Sequence, residues 1–179
     1  MATVRRTTTT ILLAVLAVAA FAAAAITLTN VTEWHIYAKN PPIVKVKGAD
    51  AVSPLVNVTT TTGSDGTNRT VIYLTGFTGD PTHYDEVIKI CNKNTSKTYN
   101  VQLVYKQVLS GDWTYVQYVK LWLGSSGPLF ITSSGATGSA ATSVGPGQCV
   151  SVPAEVLVKP NAPTGTELIA IEVDVVSTG

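Results

Sequence analysis

Beyond residue 25 the chain repeats its apolar residues at intervals of two, and no other feature constrains the fold class as tightly. The stretch YNVQLVYK places Val101, Leu103 and Tyr105 on one face and Asn100, Gln102 and Lys106 on the other, the period of a half-buried strand. TVIYLT (70–75) is β-branched and aromatic, DEVIKIC (85–91) sets Ile88 and Ile90 on one face, and ELIAIEVDVV aligns Ile169, Ile171, Val173 and Val175. WTYVQYVKLWL (113–123) reads as a long strand that is apolar on both faces, and CVSVPAEVLV as another. Gly, Pro, Asn and Asp punctuate these runs, and no convincing helical period competes with them. The Gly- and Ser-rich stretch 124–147 reads as loops around one short strand. Eight to ten short strands in about 150 residues predict one all-β domain, a single β-sandwich of jelly-roll or immunoglobulin-like topology.

Residues 1–25 differ in kind. MATVRR is basic, 11–25 (ILLAVLAVAAFAAAA) is apolar, and Ala23-Ala24-Ala25 supplies the small residues of a cleavage site. The segment reads as a signal peptide whose removal leaves Ile26 first. The alternative, a retained transmembrane anchor, is short of the roughly 20 residues a bilayer requires. Cleavage predicts a secreted, cell-surface protein with no stable membrane insertion. Losing Arg5 and Arg6 leaves ten basic against eleven acidic residues. With a net charge of +1 for the whole chain, no basic field points to nucleic acid. Only 13% of residues are charged, little for a solvated surface, so glycan or burial against other copies is needed to explain solubility.

Export makes Cys91 and Cys149 informative. Two cysteines outside a C-x-x-C pair, in an exported chain, read as one disulfide, with two buried free thiols as the alternative. Cys91 shares its face with Lys89 and Cys149 with Ser151, so both thiols point away from the core, as a bond across the outer face of two neighbouring strands requires. Four N-glycosylation sequons follow the presumed cleavage point, at Asn30, Asn57, Asn68 and Asn94.

Catalytic chemistry is not legible. The two histidines, His35 and His83, belong to no H-E-x-x-H motif. Asp80, Asp85 and Glu86 gather near a turn but match no EF-hand spacing. There is no G-x-S-x-G, neither cysteine has a nearby base, and GFTGDP lacks the lysine of a phosphate loop. The expectation is a protein without enzymatic activity, cofactor or metal.

The segment 26–40, ITLTNVTEWHIYAKN, has strand composition and precedes Pro41-Pro42, which favours extended backbone and donates no ladder hydrogen bond. It reads either as the first strand of the domain or as an arm that pairs with another chain. In order along the chain come an exported extended segment, PPIVKVKGAD, the turn TGFTGDP, NKNTSKTYNVQLVY, VGPGQCVSVPAEVLV and a long last strand. This order resembles the TasA/camelysin-like biofilm-fibre proteins and, more closely, the archaeal bundling pilins of that superfamily. The resemblance covers about residues 26–179 and implies a jelly-roll domain (41–179). In this family the N-terminal donor strand (26–40) fills a groove in the adjacent subunit. Transferred to this sequence, Ile26, Leu28, Trp34 and Ile36 become the plugs. The implied partners are adjacent copies joined head to tail, with fibre–fibre bundling as a further property. The peptidase classification of some camelysin-like proteins has no matching residues here, and the two cysteines depart from the family's pattern.

Two other readings stand beside the fibre subunit. A type IV pilin would keep 11–26 as a filament-core helix, although Thr7 follows Arg6 where Gly or Ala is usual. A monomeric adhesion or carbohydrate-binding domain would expose aromatics, for which Trp113, Tyr115, Tyr118 and Trp122 are the candidates.

Overall fold

Eleven strands form among the described residues, most of them on runs of period-two alternation: β1 (Ile43–Lys47), β2 (Val56–Thr62), β3 (Asn68–Leu74), β4 (Pro81–Asn92), β5 (Tyr99–Gly111), β6 (Val116–Leu123), β7 (Ser126–Thr132), β8 (Gly135–Gly138), β9 (Ala140–Val144), β10 (Cys149–Val158) and β11 (Ile169–Thr178). This computed structural model describes residues 32–52, 54–62 and 68–179, except for the side chains of Thr62 and Asn68. The chain divides into two units, Met1–Lys39 and Asn40–Gly179. In the first, residues 32–39 carry neither helix nor strand.

The second unit is an all-β sandwich. One sheet has six strands in the order β1-β4-β10-β6-β7-β8; facing it are a three-stranded sheet, β11-β5-β9, and the hairpin β2-β3. All pairings between these strands are antiparallel. Tyr84, Ile88 and Ile90 from β4, Val152 and Val156 from β10, and Leu129 and Ile131 from β7 meet Val101 and Leu103 from β5, Val144 from β9, and Val56 and Val58 from β2 in one core. Ile90 and Ile131 are wholly buried, and truncating such a side chain to Ala removes about 2–5 kcal/mol.

Two expectations need correction. The strand read over 113–123 starts only at Val116. The Asp112 carboxylate accepts the Thr114 N–H at 2.7 Å, and the resulting turn removes Trp113 and Tyr115 from the ladder. The stretch 124–147 contains three strands, β7, β8 and β9. Its glycines make the corners between them. Gly138 has φ +74°, and a Cβ there would lie 2.4 Å from the Pro128 carbonyl oxygen. With one residue between β8 and β9, the chain crosses there from the edge of one sheet to the edge of the other.

Pro153 has no N–H to offer β4. The register slips at that point: Val152 pairs with Ile88 but Ala154 with Tyr84, which leaves 85–87 as a bulge. The bulge is held by the turn after β1. Gly48 N–H donates to the Val87 carbonyl at 3.1 Å, and Glu86 N–H to the Asp50 carboxylate at 2.7 Å. A Cβ on Gly48 would meet the Glu86 carbonyl oxygen at 2.0 Å, so this close approach requires glycine.

Cys91 and Cys149 are disulfide-bonded, with Cα atoms 4.0 Å apart across the β4–β10 ladder. Cys149 is exposed, whereas Cys91 is only 3% exposed, because β4 is flanked by β1 as well as β10. Replacing both cysteines with Ser opens a loop of sequence separation 58. The expected loss is about 4 kcal/mol of folding stability, read from urea melts, with the β-rich circular dichroism retained. A loss within error of zero would show that the bond does not constrain the unfolded chain.

Candidate assembly edge and outer-face cluster

A strand at a sheet edge leaves half its backbone N–H and C=O groups unpaired, an invitation to another chain. The free edges of this sandwich differ in how they answer it. β8 is only four residues long and β9 five. On β1, Lys45 stands opposite core-facing Ile90 and Lys47 opposite core-facing Ile88, so both lysines leave from the inner face of the edge and are exposed. Inward-pointing charge of this kind opposes the docking of a further strand.

β11 has no such protection. It runs for ten residues without Pro or Lys and pairs with β5 alone among the described residues. Val175 lies opposite buried Leu103 and Val173 opposite Tyr105, which turns both towards the core. They pack against it together with Ile169 and Ile171, yet all four remain partly exposed. Its outer face carries two carboxylates and the exposed Val176: Glu172 accepts from Gln107 Nε2 at 2.8 Å, and Asp174 lies 3.5 Å from Lys106 Nζ. In the β2-β3 hairpin, Ile72 is opposite buried Val58 and is 36% exposed. No strand pairing joins the hairpin to β11 among the described residues, so the layer facing the six-stranded sheet is interrupted.

The expected donor-strand residues are only partly within view. Ile26 and Leu28 lie outside the described residues, as does Asn30. Trp34 and Ile36 are 83% and 93% exposed. The Trp34 indole donates to Thr32 Oγ1 at 3.1 Å, and His35 Nε2 is 3.2 Å from the Glu33 carboxylate. Of the other sequon residues, Asn57 is exposed on β2, and Asn68 opens β3 with its side chain outside the description. Asn94 is half-buried; its Oδ1 accepts the N–H groups of Ser96 and Lys97 at 2.9 Å. The acidic residues near the turn do not act together. Asp85 points to solvent beside His83, whereas Glu86 pairs with Lys89 at 3.0 Å and accepts the Ala49 N–H at 2.9 Å.

The outer face of the six-stranded sheet holds a network that spans four strands. Glu155 of β10 accepts from Lys120 Nζ at 2.7 Å and from the Tyr118 hydroxyl at 2.8 Å, both on β6. Lys120 lies 4.4 Å from the Tyr118 ring centroid, a cation–π arrangement. Phe130 of β7 packs on Tyr118 at 5.5 Å, and Trp122 packs edge-on to His83 of β4 at 5.7 Å. His83 also sits between Asp85 (3.4 Å) and Glu155 (3.7 Å). Tyr118, Lys120 and Trp122 are spaced two apart in the sequence, but their partners on other strands are set by topology. Trp113 and Tyr115, read with them as exposed aromatics, pack against the core instead.

Charge and burial set the protonation of this network. The hydrogen bond from Lys120 holds the Glu155 carboxyl below its ordinary range, outweighing partial burial. Glu155 in turn raises the Lys120 ammonium, and burial first, then the bond to Glu155, raises the Tyr118 hydroxyl.

The fold defines a class, an all-β sandwich, whose ten-residue strand β11 is paired on one side alone among the described residues. No protein-family model matches this chain, and no curated protein matches it.

The lowered carboxyl means that Glu155 adds stability above its ordinary value of 4.5 and loses it as pH falls through the lower folded value. The raised Lys120 and Tyr118 values act at the other end, where their contribution is lost as pH rises through them. Glu155→Gln should lower the melting temperature by about 2–4 °C at pH 7, on the order of 1 kcal/mol for a partly exposed network. The gap should narrow as pH falls below 4.5 and the wild-type carboxyl takes up its proton through the lowered folded value. A gap that stays constant however far the pH is taken below 4.5 would rule out the charged network as its source.

Proposed function

We propose that this chain is the structural subunit of an extracellular filament, in which each copy donates its segment 26–37 to the sandwich of the next. The observation that carries the reading is β11. Ten residues of unpaired edge and four part-exposed apolar side chains form an acceptor of the right length and chemistry for an extended apolar segment. Ile26, Leu28, Trp34 and Ile36 supply that chemistry, each contributing about 1.5–3 kcal/mol when fully buried. A donor laid beside β11 satisfies its free backbone groups and covers Ile169, Ile171, Val173 and Val175. Donor and acceptor are different surfaces, so the contact is heterologous and propagates head to tail as an open filament. The Cys91–Cys149 bond suits an oxidising, extracellular setting. The function is mechanical and structural, without catalysis or cofactor.

Deleting 26–37 should give a sandwich-containing monomer that forms no filaments by electron microscopy, and the deleted segment added as a peptide should raise its melting temperature. Normal filaments from the truncated chain would overturn the mechanism. Val173→Lys tests the acceptor side separately. With Val173 partly exposed on an edge, the monomer should lose no more than about 1–2 kcal/mol, while filament yield should fall at least tenfold.

A further inference from the structure

The exposed sequon on β2 faces an aromatic ring. Asn57 begins Asn57-Val58-Thr59, and its neighbours Val56 and Val58 are 1% and 3% exposed, so alternation along the strand turns Asn57 outwards. Directly opposite on β3 stands Tyr73, 55% exposed. Residues paired in this way lie on the same face with Cβ atoms about 4.5–5.5 Å apart. Neither side chain has a hydrogen-bond partner among the described residues. The next pair on that face is Thr59 opposite Val71, both shorter than the ring of Tyr73.

We propose that Asn57 is an N-glycosylation site whose first sugar lies against the Tyr73 ring, so that the pair forms a platform for an N-linked pyranose. This rests on the reading of the chain as exported, since it must meet a glycosyl transferase. In the transfer, Asn57 Nδ2 attacks the anomeric carbon of a lipid-diphosphate-linked oligosaccharide. The bond from that carbon to the diphosphate oxygen breaks, the N–C bond forms, Nδ2 loses one proton, and the lipid diphosphate leaves with the bonding pair. The attached pyranose offers a face of C–H bonds, slightly positive at hydrogen, to the negative face of the Tyr73 ring. Asn94 lacks this arrangement. It sits in a loop without a cross-strand ring, and its oxygen is already engaged by Ser96 and Lys97. The hairpin β2-β3 also has most to gain, because a two-stranded ribbon is marginal by itself.

The test uses the full chain secreted from a eukaryotic host and trimmed enzymatically to a single N-acetylglucosamine at each occupied site. Glycopeptide mapping should find Asn57 occupied. Comparison with Asn57→Gln should show that the sugar raises the melting temperature by about 2–4 °C, and Tyr73→Thr should remove at least half of that gain in a double-mutant cycle. Tyr73 is on the outer face and Thr is β-branched, so the variant should keep the fold. The sugar-ring protons should shift upfield in NMR spectra of the Tyr73 protein only. A bare Asn57 beside an occupied Asn94 overturns the proposal alone, as does an equal gain in both backgrounds. A chain bare at every sequon overturns it together with export.

Discussion

Backbone amides at a strand edge have no intramolecular partner, and a sandwich must dispose of every such edge. Most of the architecture follows from that requirement. The β8–β9 corner closes one side by carrying the chain from sheet to sheet, and Gly138 makes the corner because its φ and the nearby Pro128 carbonyl exclude a side chain. On the far edge, β1 is guarded by Lys45 and Lys47. Among the described residues β11 joins ten residues of length to an apolar inner row and a ladder side that no strand pairs.

The interior of the six-stranded sheet is disciplined in the same way. Pro153 breaks the ladder between β10 and β4, and the freed groups of the 85–87 bulge are taken up by Gly48 and Asp50. The bulge is thus tied to the turn that follows β1. On the outer face the Glu155 network joins β10 to β6 and reaches β4 through His83. The sheet is therefore braced across its middle by charge and at the β4–β10 end by a covalent bond.

The period-two runs made the all-β class legible, and the parity of Cys91 and Cys149 made the outer-face bond legible, because both depend on residues close in sequence. The rest depended on long-range pairing. GATG carries no alternation, so β8 is visible only through its pairing with β7. Lys45 and Lys47 look like the polar face of any strand until their partners are known to be Ile90 and Ile88. The ten-residue run of β11 could be read as a strand, but not as an edge. Trp113 and Tyr115 continue the β6 pattern by composition, yet Asp112 turns the chain first. Ile26 and Leu28, expected from the sequence as donor residues, lie outside the described residues.

The disulfide also governs how the domain would bear tension. A separation of 58 leaves 57 residues between Cys91 and Cys149, and these include all of β5 to β9. When the sandwich is pulled from residue 40 and residue 179, load passes from 91 to 149 through the sulfur atoms and bypasses that loop. At about 3.4 Å per residue, roughly 190 Å of chain is held out of any extension. Even a ruptured domain would lengthen only through its outer segments.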